Sequence, residues 1–371
     1  MSLPVERTYT LLNDVQITFT DSGVPPGSTD YTTLVIIHGT LFVGGMALLD
    51  IAAQTQLNAP YSVGFEDLQV LAPSKNLRIM ALNRRGYRGS TSFTPAEMDD
   101  MCQGSRDFLD RRMLELAEFL TTVIRIEKTP KLDTDGRGGI AVLGWSLGVM
   151  TALSLFSNPS LLDFETGVLL GGYLKQCILY DPPSKSFGYS LPSTFKLPVV
   201  HNPFTDPAVK EEEKVSKFMF WVSSAFKHRH DTITANSHEG YDFDTECDNS
   251  LVGTWTKDRI GKYCDPDGFR YDSIVTRNYN IQAHCRENTQ RALFDVTFLP
   301  KLTFTYLWAP RSVWDTVWAF RETERLYEEY LERNKSDVRQ VTFMKMDGAT
   351  HFVHQESPEE FMNFVMKALF N

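Results

Sequence analysis

Six short apolar runs constrain this chain most: TTLVIIHG (32–39), LRIMALNRRG (77–86), GIAVLG (139–144), LKQCILYD (174–181), LTFTYLWA (302–309) and VRQVTFMKM (338–346). They are rich in β-branched and aromatic residues and do not alternate apolar with polar. A strand with one wet face alternates; a strand covered on both faces does not, which is the pattern of a buried parallel sheet. Helical patterns lie between the runs. Phe108, Leu109, Met113, Leu116, Phe119, Leu120 and Val123 fall at spacings of three and four within 105–127, and residues 147–156, 316–333 and 358–370 hold further helical patterns. Strands alternating with helices predict an α/β fold, a mainly parallel central sheet flanked by helices. Before the first such run, RTYTLLNDVQITFT (7–20) reads as a hairpin turning at Asn13-Asp14.

The rhythm breaks once. From Pro182 to about Pro300 no buried strand is legible; prolines 182, 183, 192, 198, 203 and 207 open the interval and EEEKVSKFMFWVSSAFKH follows. That is too long for a plain connection. It is expected to be an inserted, mostly helical cap, residues 182–299, on a core domain of 1–181 and 300–371.

Bulk composition excludes several classes. Net charge is −10 and there is no run of five basic residues, which argues against a nucleic-acid or anionic-membrane surface. No apolar run approaches the roughly 18–20 residues that span a bilayer. Cys102, Cys177, Cys247, Cys264 and Cys285 are scattered, odd in number and without CxxC spacing, so neither a metal site nor a disulfide framework is indicated. With no secretory signal in MSLPVERTYT, the expected compartment is the cytosol.

The run GIAVLG passes directly into Trp145-Ser146-Leu147-Gly148 and a helical stretch. A serine can simply cap a helix. A serine between glycines at a strand-to-helix junction is also the setting of a nucleophile elbow, at the edge of the sheet where α/β proteins bind ligands. A serine hydroxyl needs a base to take its proton. His351, after the small residues Gly348-Ala349-Thr350 that follow the last strand, is the expected base, with His354 the nearest competitor. His228 and His230 in KHRH read as a solvated helix face. The base needs a carboxylate to hold its ring. Asp315, after the strand LTFTYLWA, is the expected acid, and Asp181, ending CILYD, is the alternative. The expected oxyanion donors are the amide of Leu147 and that of Thr40 or Leu41, with His38 bracing their loop. Phe42, Trp145, Phe220 and Trp221 are the expected pocket residues.

These segments resemble the α/β-hydrolase superfamily: HGTLF (38–42), NRRGYRGST (83–91), GWSLG (144–148), WAPRSVWD (308–315) and GATHFVHQESPEEF (348–361), in that order. The stretch that usually reads DxRGxGxS departs at Asn83, and Ser312-Val313-Trp314-Asp315 lacks the common Gly-x-x-Asp form. Serine at the nucleophile position separates the chain from the branches that use aspartate there. The resemblance implies a cofactor-free serine hydrolase that cleaves an ester, lactone or thioester of an apolar small molecule through an acyl-enzyme. The same residues suit an acyltransferase, in which an alcohol resolves the acyl-enzyme. A non-catalytic small-molecule receptor on this fold is the reading from another class. No metal site, nucleic acid or membrane is expected, and the sequence leaves the oligomeric state open.

Overall fold

The computed structural model describes residues 4–44, 64–246, 249–333 and 338–370; Cys247 and residues 45–63 of the expected core lie outside them. Its strands are β1 (Val5–Thr10), β2 (Gln16–Asp21), β3 (Thr32–Ile37), β4 (Leu77–Leu82), β5 (Ile140–Trp145), β6 (Leu174–Tyr180), β7 (Thr303–Trp308) and β8 (Val341–Lys345). Its helices are α1 (Glu66–Leu71), α2 (Pro95–Gln103), α3 (Arg106–Ile126), α4 (Gly148–Ser154), α5 (Phe164–Tyr173), α6 (Ser184–Phe187), α7 (Glu211–Val222), α8 (Lys257–Tyr263), α9 (Pro266–Arg277), α10 (Tyr279–Phe294), α11 (Trp314–Arg333), α12 (Val353–Glu356) and α13 (Pro358–Phe370).

The strands form one eight-stranded sheet in the order β1-β2-β4-β3-β5-β6-β7-β8. The β1–β2 hairpin turns through Asn13 and Asp14, both left-handed, and pairs antiparallel to β4; every pair from β4 to β8 is parallel. Every residue of β3, β4, β5 and β6 is buried, the reason their sequences do not alternate. Helix α3 is capped by Ser105, whose side chain accepts from the Asp107 amide, and turns an apolar stripe from Phe108 to Ile124 inward. Helices α1, α2 and α5 were not anticipated. For α2 a signal exists: Thr94 and Glu97 make a reciprocal capping box with Pro95 at the first turn, and left-handed Gly104 ends it.

Between β6 and β7 the described residues form α6 to α10. Helix α10 packs on α3, α4 and α6, so the end of this segment joins the helical layer beside the sheet. Phe204, Phe218, Trp221 and Phe269, from its middle, wall a cavity at the carboxyl ends of the strands.

Candidate active site

Ser146 follows β5 with φ at +53°, in the left-handed region that a side chain seldom adopts. The glycines around it are required sterically. A Cβ on Gly148 would stand 2.3 Å from the Ile37 carbonyl oxygen, one on Gly144 2.7 Å from the Val149 nitrogen, and one on Gly39 2.7 Å from the Ser146 Cβ. The turn is therefore pressed against the end of β3. It is held from two more sides: the Ser146 amide donates to the Tyr180 carbonyl at 2.9 Å, and the Ser186 hydroxyl donates to the Ser146 carbonyl at 3.0 Å. Leu41 and Asp181 are also left-handed, at +73° and +46°, so three strained residues gather in one place.

His351 is buried, on the turn after β8. Its carbonyl accepts from Trp145 Nε1 at 3.1 Å and from the Tyr180 hydroxyl at 3.0 Å, which pulls the residue over the ends of β5 and β6. There its Nδ1 meets Asp181 Oδ2 at 2.6 Å. The other Asp181 oxygen accepts from the Ala309 amide at 3.0 Å. Asp181 is thus the carboxylate on the ring, and the expectation for Asp315 is corrected. Asp315 lies past the Ala309–Val313 turn, where it accepts from the Ser184 amide at 3.2 Å. A donor bond to Asp181 puts the His351 proton on Nδ1 and leaves Nε2 as the basic nitrogen.

His354 does not compete. Its Nδ1 pairs with the Tyr180 hydroxyl at 3.0 Å, its ring stacks on Phe65, and burial together with nearby His351 holds its pKa well below the ordinary imidazole value. His228 is not on a solvated helix face: it is buried beyond the end of α7, its Nε2 donating to the Ser312 carbonyl at 2.7 Å and its Nδ1 accepting from the Asp242 amide at 2.9 Å. The Ser312 hydroxyl in turn lies 3.3 Å from His351 Nδ1.

The loop after β3 is braced as expected. His38 Nδ1 donates to the Gly39 carbonyl at 2.8 Å and Nε2 accepts from the Arg84 amide at 3.0 Å. Burial, with the Arg84 charge adding, drives its pKa well down, so the ring is neutral. Leu41 is corrected as an oxyanion donor, because its amide already donates to the Tyr87 hydroxyl at 3.0 Å. The amides of Thr40 and Leu147 have no protein acceptor among the described residues, and both residues line the cavity.

The brace reaches into the segment between β6 and β7. Arg84 donates twice to Asp272 of α9, at 3.0 and 2.6 Å, and once to the Gly39 carbonyl at 3.0 Å; the Tyr87 hydroxyl donates to Asp272 Oδ2 at 2.5 Å. Tyr87 therefore supplies the acceptor that holds Leu41.

Ser146, His351, Thr40 and Leu147 open onto one cavity of about 570 Å³. Phe204, Phe218, Trp221, Val222, Phe269 and Val313 make its apolar wall. Of the expected pocket residues only Trp221 lines it. Phe42 and Trp145 are core, packed on each other and on Phe352, because the ends of β3 and β5 face the protein interior; Phe220 points out to solvent, 39% exposed, on the opposite side of α7 from the cavity. Phe204, in a turn without periodicity, and Phe269, in a stretch read only as polar and aromatic-rich, were missed. Among the described residues no three His, Cys, Asp or Glu side chains group as a metal site, and no helix is long and apolar enough to cross a membrane.

In structure the chain is similar to a variant of an epoxide hydrolase from Vigna radiata (11% identity, TM-score 0.49, covering 100% of this chain and 99% of that one). It is similar also to an N-acyl homoserine lactonase variant (11%, 0.45, 98% and 94%) and to an N-formylmaleamic acid deformylase variant from Pseudomonas putida S16 (14%, 0.42, 97% and 100%). No curated protein matches it in sequence. The profile of the alpha/beta hydrolase family does, over residues 34–364, and the chain belongs to that family.

Proposed function

We propose that the chain is a serine hydrolase that cleaves a carboxylic ester, lactone or thioester of an apolar small molecule through an acyl-enzyme on Ser146. The observation that carries this is the 2.6 Å contact of His351 Nδ1 with Asp181, made at the cavity that Ser146 enters from its elbow. His351 Nε2 takes the Ser146 proton as Oγ attacks the substrate carbonyl. The tetrahedral oxyanion is received by the amides of Leu147 and Thr40. His351 then returns the proton to the leaving oxygen or sulfur as the carbonyl reforms and the bond to it breaks. Water, deprotonated by the same nitrogen, releases the acid and restores the serine. Asp181 holds the Nδ1 tautomer and stabilises the imidazolium, without itself accepting the proton. The aromatic wall at Phe204, Phe218, Trp221 and Phe269 suits an apolar chain. The reading includes a cytosolic location, supported by the free thiols of Cys102, Cys177, Cys264 and Cys285.

The test is a panel of aryl esters of graded chain length, with wild type and Ser146→Ala, beside labelling by a fluorophosphonate. The variant is expected to lose about 10⁴–10⁶-fold in kcat and all labelling, the scale for loss of a triad serine. More than a tenth of wild-type turnover in Ser146→Ala would sink the reading.

A further inference from the structure

The stretch from Tyr263 to Thr276, within the segment between β6 and β7, has two faces. One walls the cavity, through Phe269, Asp272, Ser273 and Thr276. The other is fastened to the loop that offers the Thr40 amide. The Asp265 amide donates to the Leu41 carbonyl at 2.7 Å and the Val43 amide to the Tyr263 carbonyl at 3.0 Å, so Phe42 and Cys264 stand opposite each other as an antiparallel bridge. Asp265 also caps α9, accepting from the Gly268 amide at 3.1 Å with one oxygen and from the Arg88 amide at 2.6 Å with the other. Further along α9, Asp272 holds Arg84 and Tyr87. The packing between these bonds is close. A Cβ on Gly268 would stand 2.5 Å from the Tyr87 ring, and one on Gly86 2.6 Å from the Tyr271 ring.

Leu41 is therefore held at its amide by Tyr87 and at its carbonyl by Asp265. To lift away from the site, the stretch has to break both backbone bonds, the Arg88–Asp265 bond and the Arg84–Asp272 pair. Thr40 loses its placement in the same movement, and the site loses an oxyanion donor. An open form of this stretch is a form with an incomplete oxyanion hole. The rim of the cavity points the same way. Its exposed lining residues are Lys185, Glu211 and Arg277, all charged, while Phe204, Phe218, Trp221 and Phe269 are half-buried or buried. A surface that docks on lipid presents a contiguous apolar patch; this opening presents charge of both signs.

We propose that the protein turns over with residues 263–276 in place, and that its substrate is an ester taken from water one molecule at a time, not drawn from a lipid surface or droplet. This rests on the reading of Ser146 as the nucleophile. The cavity of about 570 Å³ then bounds the molecule that enters.

Two measurements test it. In the first, wild type is given tributyrin at concentrations that pass through its solubility limit. The rate is expected to follow the dissolved ester and to level off at the limit, where the dissolved concentration stops rising. A further rise once droplets form overturns the proposal. In the second, Phe42→Cys sets a thiol opposite Cys264, at a non-hydrogen-bonded pair close enough for a disulfide. Oxidation with copper phenanthroline, followed by mass spectrometry, ties the loop to the stretch. The oxidised variant is expected to keep kcat within about twofold of its own reduced form, because no opening step is needed. Loss of turnover on oxidation, restored by dithiothreitol, overturns the proposal. Phe42 packs in the core, so if the variant does not fold the wild-type measurement decides alone. Fluorophosphonate labelling separates the two failures. Labelling of Ser146 with a rate that climbs on droplets removes this proposal only; no labelling and no turnover of any ester, dissolved or emulsified, removes the hydrolase reading with it.

Discussion

Asp181 and Asp315 follow adjacent strands, β6 and β7, and one exchange at each separates their roles. Asp181→Asn keeps the size of the side chain but removes the charge that fixes the His351 tautomer at 2.6 Å, so kcat on a plain ester is expected to fall by about 10⁴-fold. Asp315→Asn is expected to change kcat on the same ester by less than tenfold, because no proton transfer runs through it. Mild effects from both would mean that neither carboxylate supports the imidazole. The placement of Ser146 on a strained elbow and of His351 on a turn at the same cavity was legible because local sequence specifies it: two glycines and a strand-to-helix junction for the first, a small-residue turn for the second. The carboxylate that meets His351 was not, because the choice is made at long range. Trp145 and Tyr180 hold the His351 carbonyl, drawing the ring to the strand that Asp181 ends, and nothing in PRSVWD or CILYDPP reports that anchoring. Leu41 was misread for the same kind of reason, since its amide is taken by Tyr87, 46 positions away.

At the level of elements, the loop after β3 is shaped partly by α9. Asp272 holds both Arg84 and the Tyr87 hydroxyl, and those two hold the Gly39 carbonyl and the Leu41 amide on either side of Thr40. Whatever displaces α9 also loosens the loop that offers the Thr40 amide. Tyr87→Phe removes one hydroxyl, leaves the Leu41 amide without its acceptor and keeps the Arg84–Asp272 pair. The loop is then free to turn, and kcat is expected to fall about tenfold to a hundredfold with KM little changed, below the full loss of an oxyanion donor at about 10²–10³-fold. An equal rise in KM with kcat intact would instead place Tyr87 in substrate binding. The strands and long helices were legible because each repeats its pattern over several residues. The cavity wall was not: Phe204 reaches it from a turn, where spacing carries no direction, and Phe269 from α9, whose apolar stripe does not tell a cavity face from a packed one.

Across the whole molecule, a charge cluster, buried at Asp21 and Arg78 and half-buried at Arg7 and Glu127, joins the antiparallel edge to the parallel sheet. Arg78 of β4 grips Asp21 of β2 at 2.9 and 2.5 Å and Glu127 after α3 at 2.8 Å, while Arg7 of β1 reaches the same two carboxylates at 2.8 and 2.5 Å. The four residues are spread from position 7 to position 127, so only the fold reveals them as a unit. Burial alone would raise the Glu127 pKa, but hydrogen bonds from Arg7, Tyr9 and Arg78 overcome it and hold the carboxyl at about 2. Asp21 is lowered in the same way, against its burial, chiefly by Arg78. In an unfolded chain these groups titrate near ~4, so the folded state binds fewer protons between that pH and the folded values. A depressed carboxylate stabilises the fold fully above its unfolded pKa and loses that contribution as pH falls through its folded pKa. Chemical unfolding midpoints are therefore expected to start falling below about pH 6.5, where the unfolded chain protonates the His38 and His354 imidazoles that the fold keeps neutral, and to fall further from about pH 4.5 toward 2 through these carboxylates. Glu127→Gln, which cannot ionise, isolates the share of one group. Its deficit against wild type is expected to be largest at neutral pH and to shrink as pH falls from about 4 toward 2, where the Glu127 carboxylate of the unfolded wild-type chain takes up its proton first. A deficit that stays constant from pH 7 to pH 2.5 would show that Glu127 acts through packing and not through its charge.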